Sequence, residues 1–273
     1  MALDLDSRGA RLEAQVLLGH ALQRSRAWLI AHDGDTLDPV QVHAFATLFE
    51  RRLLGEPIAY ILGRREFYGL DITVSPAVLI PRPESELLVE LALTHLPENR
   101  TSSVLDLGTG SGAIALAIAK YRPRAEIVAV DFSAAALETA QENAHRLGIA
   151  NIRFLRGVWF DTLPALKKFD VIVSNPPYIA ADDPHLSQGD LRFEPRTALI
   201  SGVRGLDDLR KIIAGAPSYL ASGGRLLFEH GYDQAPACHA LLRQSGFSDI
   251  SSNKDLAGIE RVTSGQRQYT SRG

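Results

Sequence analysis

Val104-Leu105-Asp106-Leu107-Gly108-Thr109-Gly110-Ser111-Gly112-Ala113 decides the fold. A short apolar run gives way to three glycines at alternate positions, then to an apolar helical segment from Ala113 to Tyr121. Strand, tight turn and helix in that order make a βα unit whose strand is covered on both faces. Glycine lets the backbone turn sharply and approach a ligand with no Cβ in the way. The helix behind the turn offers free N–H groups and a positive dipole end, which suit a carboxylate or phosphate. Open α/β sheets bind ligands at the carboxyl ends of their strands, where this loop sits.

Downstream, strands and helices keep alternating. Ile127 to Val130 is a second strand closed by Asp131, and Ser133 caps a helix running to about Leu147, stopped by Gly148. Further strands are expected at Ile152 to Leu155, Val171 to Val173 and Leu226 to Phe228, with a helix near Ala235 to Ser245. Ile250 and a last strand near Glu260 to Thr263 complete the pattern of a parallel sheet covered on both faces. The polar tail from Gly265 to Gly273 is expected to be loose.

Upstream the rhythm is different. Leu12, Val16, Leu17, Ala21 and Leu22 recur at helix spacing. A second helix starts at the cap Asp38 with Pro39 in its first turn and ends before Gly55. Val42, Phe45, Phe49 and Leu53 form its packing stripe, and Arg51, Arg52, Arg64 and Arg65 are expected to be solvated, the alternative being that they meet an acidic partner. Tyr60 to Leu62, Phe67, Tyr68 and Leu70 to Val74 suggest a β-hairpin region. Ile80-Pro81-Arg82-Pro83-Glu84 then fixes the backbone before a helix from about Glu84 to Leu96. The expected division is a helical part with its connecting hairpin at 1–75 and an α/β domain at 76–273.

Composition bounds the function. Of 273 residues, 45% are hydrophobic and 22% charged, ordinary globular usage that argues against extensive disorder. Lys and Arg total 29 against 32 for Asp and Glu, a net charge of −3, which argues against a protein that coats nucleic acid. The one cysteine, Cys238, offers neither an internal disulfide nor a zinc cluster, so a reducing cytosol is the expected compartment. The first fifteen residues have no apolar core of signal-peptide length, and no apolar run reaches the roughly 20 residues that span a bilayer. A cytoplasmic chain that meets no membrane is expected.

The glycine loop alone is ambiguous. Gly108, Gly110 and Ala113 also satisfy a dinucleotide fingerprint, and Asp131 stands where such a fingerprint has its ribose-binding acid. Asp106, two positions before Gly108, suits the cationic amino group of a methionine moiety, a need no pyrophosphate has, so the loop leans towards S-adenosylmethionine. Ser174-Asn175-Pro176-Pro177-Tyr178 decides the chemistry. Two consecutive prolines lock the chain into one extended form. The Asn175 amide oxygen and the Pro176 carbonyl are two acceptors for one planar NH₂ group, and Tyr178 offers a ring face against a flat group. Drawing both N–H bonds into hydrogen bonds aims the lone pair of a poorly nucleophilic nitrogen at an electrophile, and a sulfonium methyl is the natural partner.

Several segments together resemble the HemK/PrmC family of release factor glutamine methyltransferases over nearly the whole chain. They are Gly55-Glu56-Pro57 through Arg65-Glu66-Phe67-Tyr68-Gly69, Ile80 to Glu84, Asp106 to Gly112 and Asn175 to Tyr178. Glu194-Pro195-Arg196-Thr197-Ala198-Leu199 and Glu229-His230-Gly231 add to them. The resemblance implies a class I S-adenosylmethionine-dependent methyltransferase fold, Rossmann-like with a mostly parallel seven-stranded sheet, preceded by a small helical domain that helps hold the partner. It implies methylation of the glutamine side-chain amide in the Gly-Gly-Gln motif of class 1 peptide chain release factors, by in-line displacement that leaves S-adenosylhomocysteine. Asp106, Gly108, Thr109, Gly110, Ser111, Gly112 and Asp131 would bind the cofactor, with Trp159 near its adenine. Asn175 would touch cofactor and substrate, and Asn175, Pro176 and Tyr178 would form the catalytic group, with Pro176, Pro177 and Tyr178 framing the glutamine. Arg82 and Glu84 would line the substrate side, although helix-start chemistry explains them equally well, and Trp159 could be an ordinary packing aromatic. No metal, no direct nucleic-acid binding and a monomer are expected. Val158 departs from the family, whose members usually carry aspartate there to accept from the adenine amino group.

Other readings compete. A nucleic-acid amino-methyltransferase uses the same tetrapeptide on a flipped base, but would benefit from a basic groove that the composition does not offer. A catalytically dead scaffold has no need of an intact glycine loop and tetrapeptide. A nicotinamide dehydrogenase has no use for the tetrapeptide.

Overall fold

The computed structural model describes residues 6–268 and divides into two compact units. One holds the residues up to Arg64 together with Pro184–Glu194, and the other holds Arg65–Asp183 and the chain from Pro195 onward.

The first unit is helical: α1 (Ser7–Leu22), α2 (Arg26–Ala31), α3 (Pro39–Leu53) and α4 (Ile58–Leu62). Each of the first three is started by a side-chain cap, from Asp6, Ser25 and Asp38. Asp38 and Gln41 form a reciprocal capping box with Pro39 in the first turn, which satisfies N–H groups that a helix start leaves open. The expected stripe on α3 packs only at its middle. Phe45 and Phe49 stack at 5.4 Å, while Val42 and Leu53 are about half exposed. Arg52 corrects the expectation of a solvated arginine: it is 7% exposed. Its guanidinium takes Glu13 in a bidentate pair at 2.7 and 2.9 Å and meets Asp190 at 3.1 Å, so its charge is compensated. Arg51 pairs with Glu56, and Arg64 and Arg65 are exposed. Tyr60 to Leu62, expected in a strand, lie in α4 instead, because the Pro57 carbonyl accepts from the N–H groups of Tyr60 and Ile61 and opens a helical turn.

The hairpin β1 (Arg64–Phe67) and β2 (Leu70–Thr73) leads into the second unit, turning at Tyr68 and Gly69, both at positive φ. The sequence reading joins this hairpin to the helical part. Its fully buried Phe67 and Ile72, and the bonds from Thr73 to Asn143, instead tie it to the α/β unit. A short 3₁₀ turn at Pro83–Ser85 precedes α5 (Glu86–Thr94). Then come β3 (Ser103–Leu107), α6 (Ala113–Tyr121), β4 (Glu126–Asp131), α7 (Ala134–Arg146), β5 (Ile152–Arg156) and β6 (Phe169–Ser174). The chain closes with α8 (Asp207–Gly215), β7 (Leu220–Glu229), α9 (Ala235–Gln244), β8 (Phe247–Lys254) and β9 (Glu260–Arg267).

The strands form one seven-stranded sheet in the order β5-β4-β3-β6-β7-β9-β8, parallel from β5 to β7 and antiparallel where β9 meets β7 and β8. From β3 the chain first adds strands on one side and then, with β6, on the other. That reversal is the switch point where α/β sheets open a crevice. Leu105, Leu107, Ile172 and Phe228 pack against Leu209, Ile212 and Ile213 of α8 and Leu242 of α9 in one core. The tail expected to be loose from Gly265 is paired as far as Arg267, because β9 lies between two strands that use both edges of its backbone. Residues 269–273 lie outside the described residues. Among the described residues no helix is long and apolar enough to cross a membrane.

Asn143 on α7 joins the hairpin to the glycine loop. It is fully buried, accepts from the Thr73 N–H at 2.7 Å, and donates to the carbonyls of Thr73 and Ser111 at 3.0 Å each. Asn143→Ala strands the buried Ser111 carbonyl and frees two half-buried backbone groups of Thr73, so urea unfolding should show a loss of about 1–3 kcal/mol. A loss below about 0.5 kcal/mol would mean that water takes over these bonds without cost.

Candidate active site

The loops at the carboxyl ends of β3, β4 and β6 meet because their strands lie side by side, with Leu107 opposite both Val130 and Ser174. They surround a cavity of about 630 Å³, within the roughly 300–1,000 Å³ of small-molecule pockets. Its wall includes Gly108, Thr109, Gly110, Ser111, Asp131, Trp159, Asn175 and Pro177. Asp106, Gly112, Pro176, Tyr178, Arg82 and Glu84 stand outside it. Phe132, Val158 and Ser85 also line it; of these the sequence reading singled out only Val158.

The glycine loop is tied to β4. The N–H groups of Gly108 and Thr109 both donate to the Val130 carbonyl, and that of Gly110 donates to Asp131 Oδ2 at 2.8 Å. Gly108 has φ +73, and a Cβ there would lie 3.4 Å from the Trp159 ring, so the ring packs directly over bare backbone. Gly112 serves the fold: at φ +82 it starts α6, and a Cβ would press within 3.1 Å of Ala140 and Leu116. Trp159 itself has φ +52, rare for a bulky side chain and a cost of about 1–3 kcal/mol that its surroundings must hold.

Three carboxylates stand at this edge: Asp131 and Glu229 end β4 and β7, and Asp106 is the last residue but one of β3. Asp131 accepts through Oδ1 from the Ser133 N–H and through Oδ2 from Gly110. Burial pushes its carboxyl up, and backbone N–H groups oppose that rise. Asp106 is fully buried: Oδ2 accepts from the Thr109 hydroxyl at 2.6 Å, while Oδ1 has no partner among the described residues. Burial raises its carboxyl to about 7, with the Thr109 hydrogen bond working against the rise and the Asp131 charge adding to it. Glu229, the end of β7, accepts from Ser85 Oγ at 2.6 Å and from the Tyr178 hydroxyl at 2.9 Å. Burial pushes Glu229 up, and burial with the Glu229 charge keeps the Tyr178 proton on well above the usual phenol range.

The tetrapeptide is anchored from several sides. Ser174 donates to the Leu107 carbonyl at 2.8 Å, and Gln234 Nε2 donates to the Tyr178 carbonyl at 3.0 Å. Asn175 Nδ2 donates to Ser85 Oγ at 3.0 Å. Arg82 and Glu84, expected on the substrate side, stand outside the wall, whereas Ser85 beside them lines it; Glu84 is exposed. In the sequence, Glu229 belongs to the family resemblance alone. An acid closing the apolar run Leu226-Leu227-Phe228 is the same signal that marks Asp131, and Phe132 follows Asp131 directly. Among the described residues no group of three or more His, Cys, Asp or Glu could hold a metal ion.

Comparison with known proteins agrees with this architecture. Residues 98–268 match the model of a methyltransferase domain, and residues 4–63 match that of the PrmC N-terminal domain. The chain is 56% identical over 255 residues to the release factor glutamine methyltransferase of Bordetella pertussis, covering 93% of this chain and 94% of that one. It is 52% identical over 256 residues to that of Xylella fastidiosa, covering 94% and 93%. A methyltransferase structure from Pyrococcus furiosus superposes with a TM-score of 0.57 at 19% identity, over 82% of this chain and 99% of that one, a likeness of fold. The chain belongs to the release factor glutamine methyltransferase family.

Asp106 gives the site a pH signature. Its carboxyl ionises near 3.8 when free and at about 7 in the fold, so the unfolded chain loses this proton first. The stability this group lends is complete below about pH 4 and is lost as pH rises through about 7. Asp106→Asn removes that slope. Urea midpoints taken at about pH 5 and pH 7.5 should differ more in the parent than in the variant. Equal differences would contradict the assignment.

Proposed function

We propose that this chain transfers a methyl group from S-adenosylmethionine to the side-chain amide nitrogen of the glutamine in the Gly-Gly-Gln motif of class 1 peptide chain release factors, leaving S-adenosylhomocysteine. The substrate class follows from the names of its relatives. The observation that carries the chemistry is the state of Asn175. Its NH₂ is engaged by Ser85, while its oxygen makes no hydrogen bond among the described residues and belongs to a side chain of the cavity wall.

The residues around the cavity fit the cofactor. Behind Thr109 of the wall, the buried Asp106 carboxyl accepts from the Thr109 hydroxyl and is otherwise poorly compensated, a place for positive charge. Asp131 has acceptor capacity beyond its two backbone bonds, suited to a pair of ribose hydroxyls. Gly110 leaves open space beside its backbone, and Trp159, packed on Gly108, and Phe132 bring aromatic rings to the wall, suited to a purine. When bound, S-adenosylmethionine supplies an electrophilic methyl on a sulfonium. Asn175 Oδ1 and the Pro176 carbonyl accept the two N–H bonds of the substrate amide and turn its lone pair out of conjugation. The nitrogen passes one proton to solvent as it gains the methyl. Rate enhancement comes from orientation and fixed dipoles. The N-terminal helical part helps hold the folded partner.

Asn175→Ala should lower turnover by about 10²–10³-fold, the usual cost of one preorganised polar contact, while the cofactor dissociation constant stays within about threefold. Mass spectrometry of the glutamine-containing peptide, after incubation with S-adenosylmethionine and purified release factor, reads the first effect and calorimetry the second. A nucleic-acid substrate run in parallel should stay unmodified; its methylation in place of the peptide would transfer the assignment to the competing class. Val158 is half exposed on the wall. Val158→Asp should tighten cofactor binding by about 3–30-fold, one added hydrogen bond to an adenine amino group. Unchanged affinity would mean that backbone already fills that role.

A further inference from the structure

We infer that Ser85 and the buried Glu229 are positioning residues that dictate which end of the Asn175 amide faces the cavity. Glu229 is 1% exposed and Ser85 3%. A carboxylate has no proton to give, so Glu229 only accepts, from Ser85 through Oε2 and from Tyr178 through Oε1. A serine hydroxyl has one proton, and Ser85 commits it to Glu229 at 2.6 Å. What remains at Ser85 Oγ are lone pairs, so the group facing it from Asn175 must be a donor. That donor is Nδ2, at 3.0 Å. The amide oxygen is thereby turned away from Ser85.

Without this relay the two ends of an asparagine amide are nearly equal in shape, and a half-turn about the last bond exchanges them. The flipped side chain would offer an NH₂ to a substrate that also brings an NH₂, and the grip would fail. Arg261 supplies the positive charge that favours the Glu229 carboxylate, Glu84 opposes it, and the Ser85 and Tyr178 hydroxyls complete its surroundings. Glu229 closes β7 and Ser85 ends the 3₁₀ turn before α5, so two elements remote in sequence set the orientation of a residue after β6. The functional half of this inference rests on the methyl-transfer reading above; the orientation half does not.

The test joins a spectroscopic and a kinetic readout on the full chain. The Asn175 side-chain NH₂ resonances, identified by their absence in Asn175→Ala, should shift in Ser85→Ala and in Glu229→Gln and return towards the parent position in Ser85→Thr, which keeps the hydroxyl. The kcat for peptide methylation should fall by up to about 10²-fold in Ser85→Ala and Glu229→Gln, with cofactor affinity within about threefold and recovery in Ser85→Thr. Because Glu229 acts on Asn175 only through Ser85, the double variant should cost no more than the larger single loss. Additive losses with unmoved NH₂ resonances would overturn the inference. Resonances that move as expected in a parent protein that leaves the glutamine unmethylated would uphold the orientation device and overturn the assigned reaction instead.

Discussion

The register of three parallel strands is the constraint on which the site depends. Leu107 sits opposite Val130 on one side and Ser174 on the other, so the segments that follow these residues leave the sheet at the same level. The glycine loop, Asp131 and Asn175 therefore converge with no long excursion of the chain. A slip of one residue in any of the three would turn its side chains to the opposite face and carry a charged residue into the apolar layers. Ser174, donating to the Leu107 carbonyl, pins this alignment at its last rung.

That convergence places three carboxylates where water is scarce. Burying a charge is costly unless donors surround it, and each carboxylate meets the problem differently. Asp131 is compensated by backbone N–H groups of the loop and of the start of α7, which makes it part of the scaffold as well as of the wall. Glu229 is compensated by two hydroxyls. Asp106 is compensated least, by the Thr109 hydroxyl and more weakly by the Ala115 N–H, and burial raises its carboxyl to about 7. A cationic ligand group near it would complete what the protein leaves open.

Much of this was legible in the sequence, and the reason is local. The β3–loop–α6 unit and Asp131 are written in contiguous residues, as an apolar run, bare turns and an acid at a strand end. Ser85 and Glu229 were not legible as a pair, because their hydrogen bond spans 144 residues and neither has a neighbour that announces the other. Arg52 looked like a surface cation, since Glu13 and Asp190, which neutralise it, lie 39 and 138 residues away. Apolar Tyr60-Ile61-Leu62 read as strand by composition, and only the hydrogen bonds from Pro57 make it helix. The polar end of β9 looked loose because its stability lies in backbone pairing, to which side-chain polarity is blind.

The most direct measurement is a structure of the chain with S-adenosylhomocysteine and a peptide containing the Gly-Gly-Gln motif. The glutamine side-chain nitrogen should lie about 2.7–3.2 Å from both Asn175 Oδ1 and the Pro176 carbonyl, with its face towards the sulfur. A glutamine held elsewhere, or an Asn175 whose NH₂ rather than its oxygen meets the substrate, would contradict this arrangement.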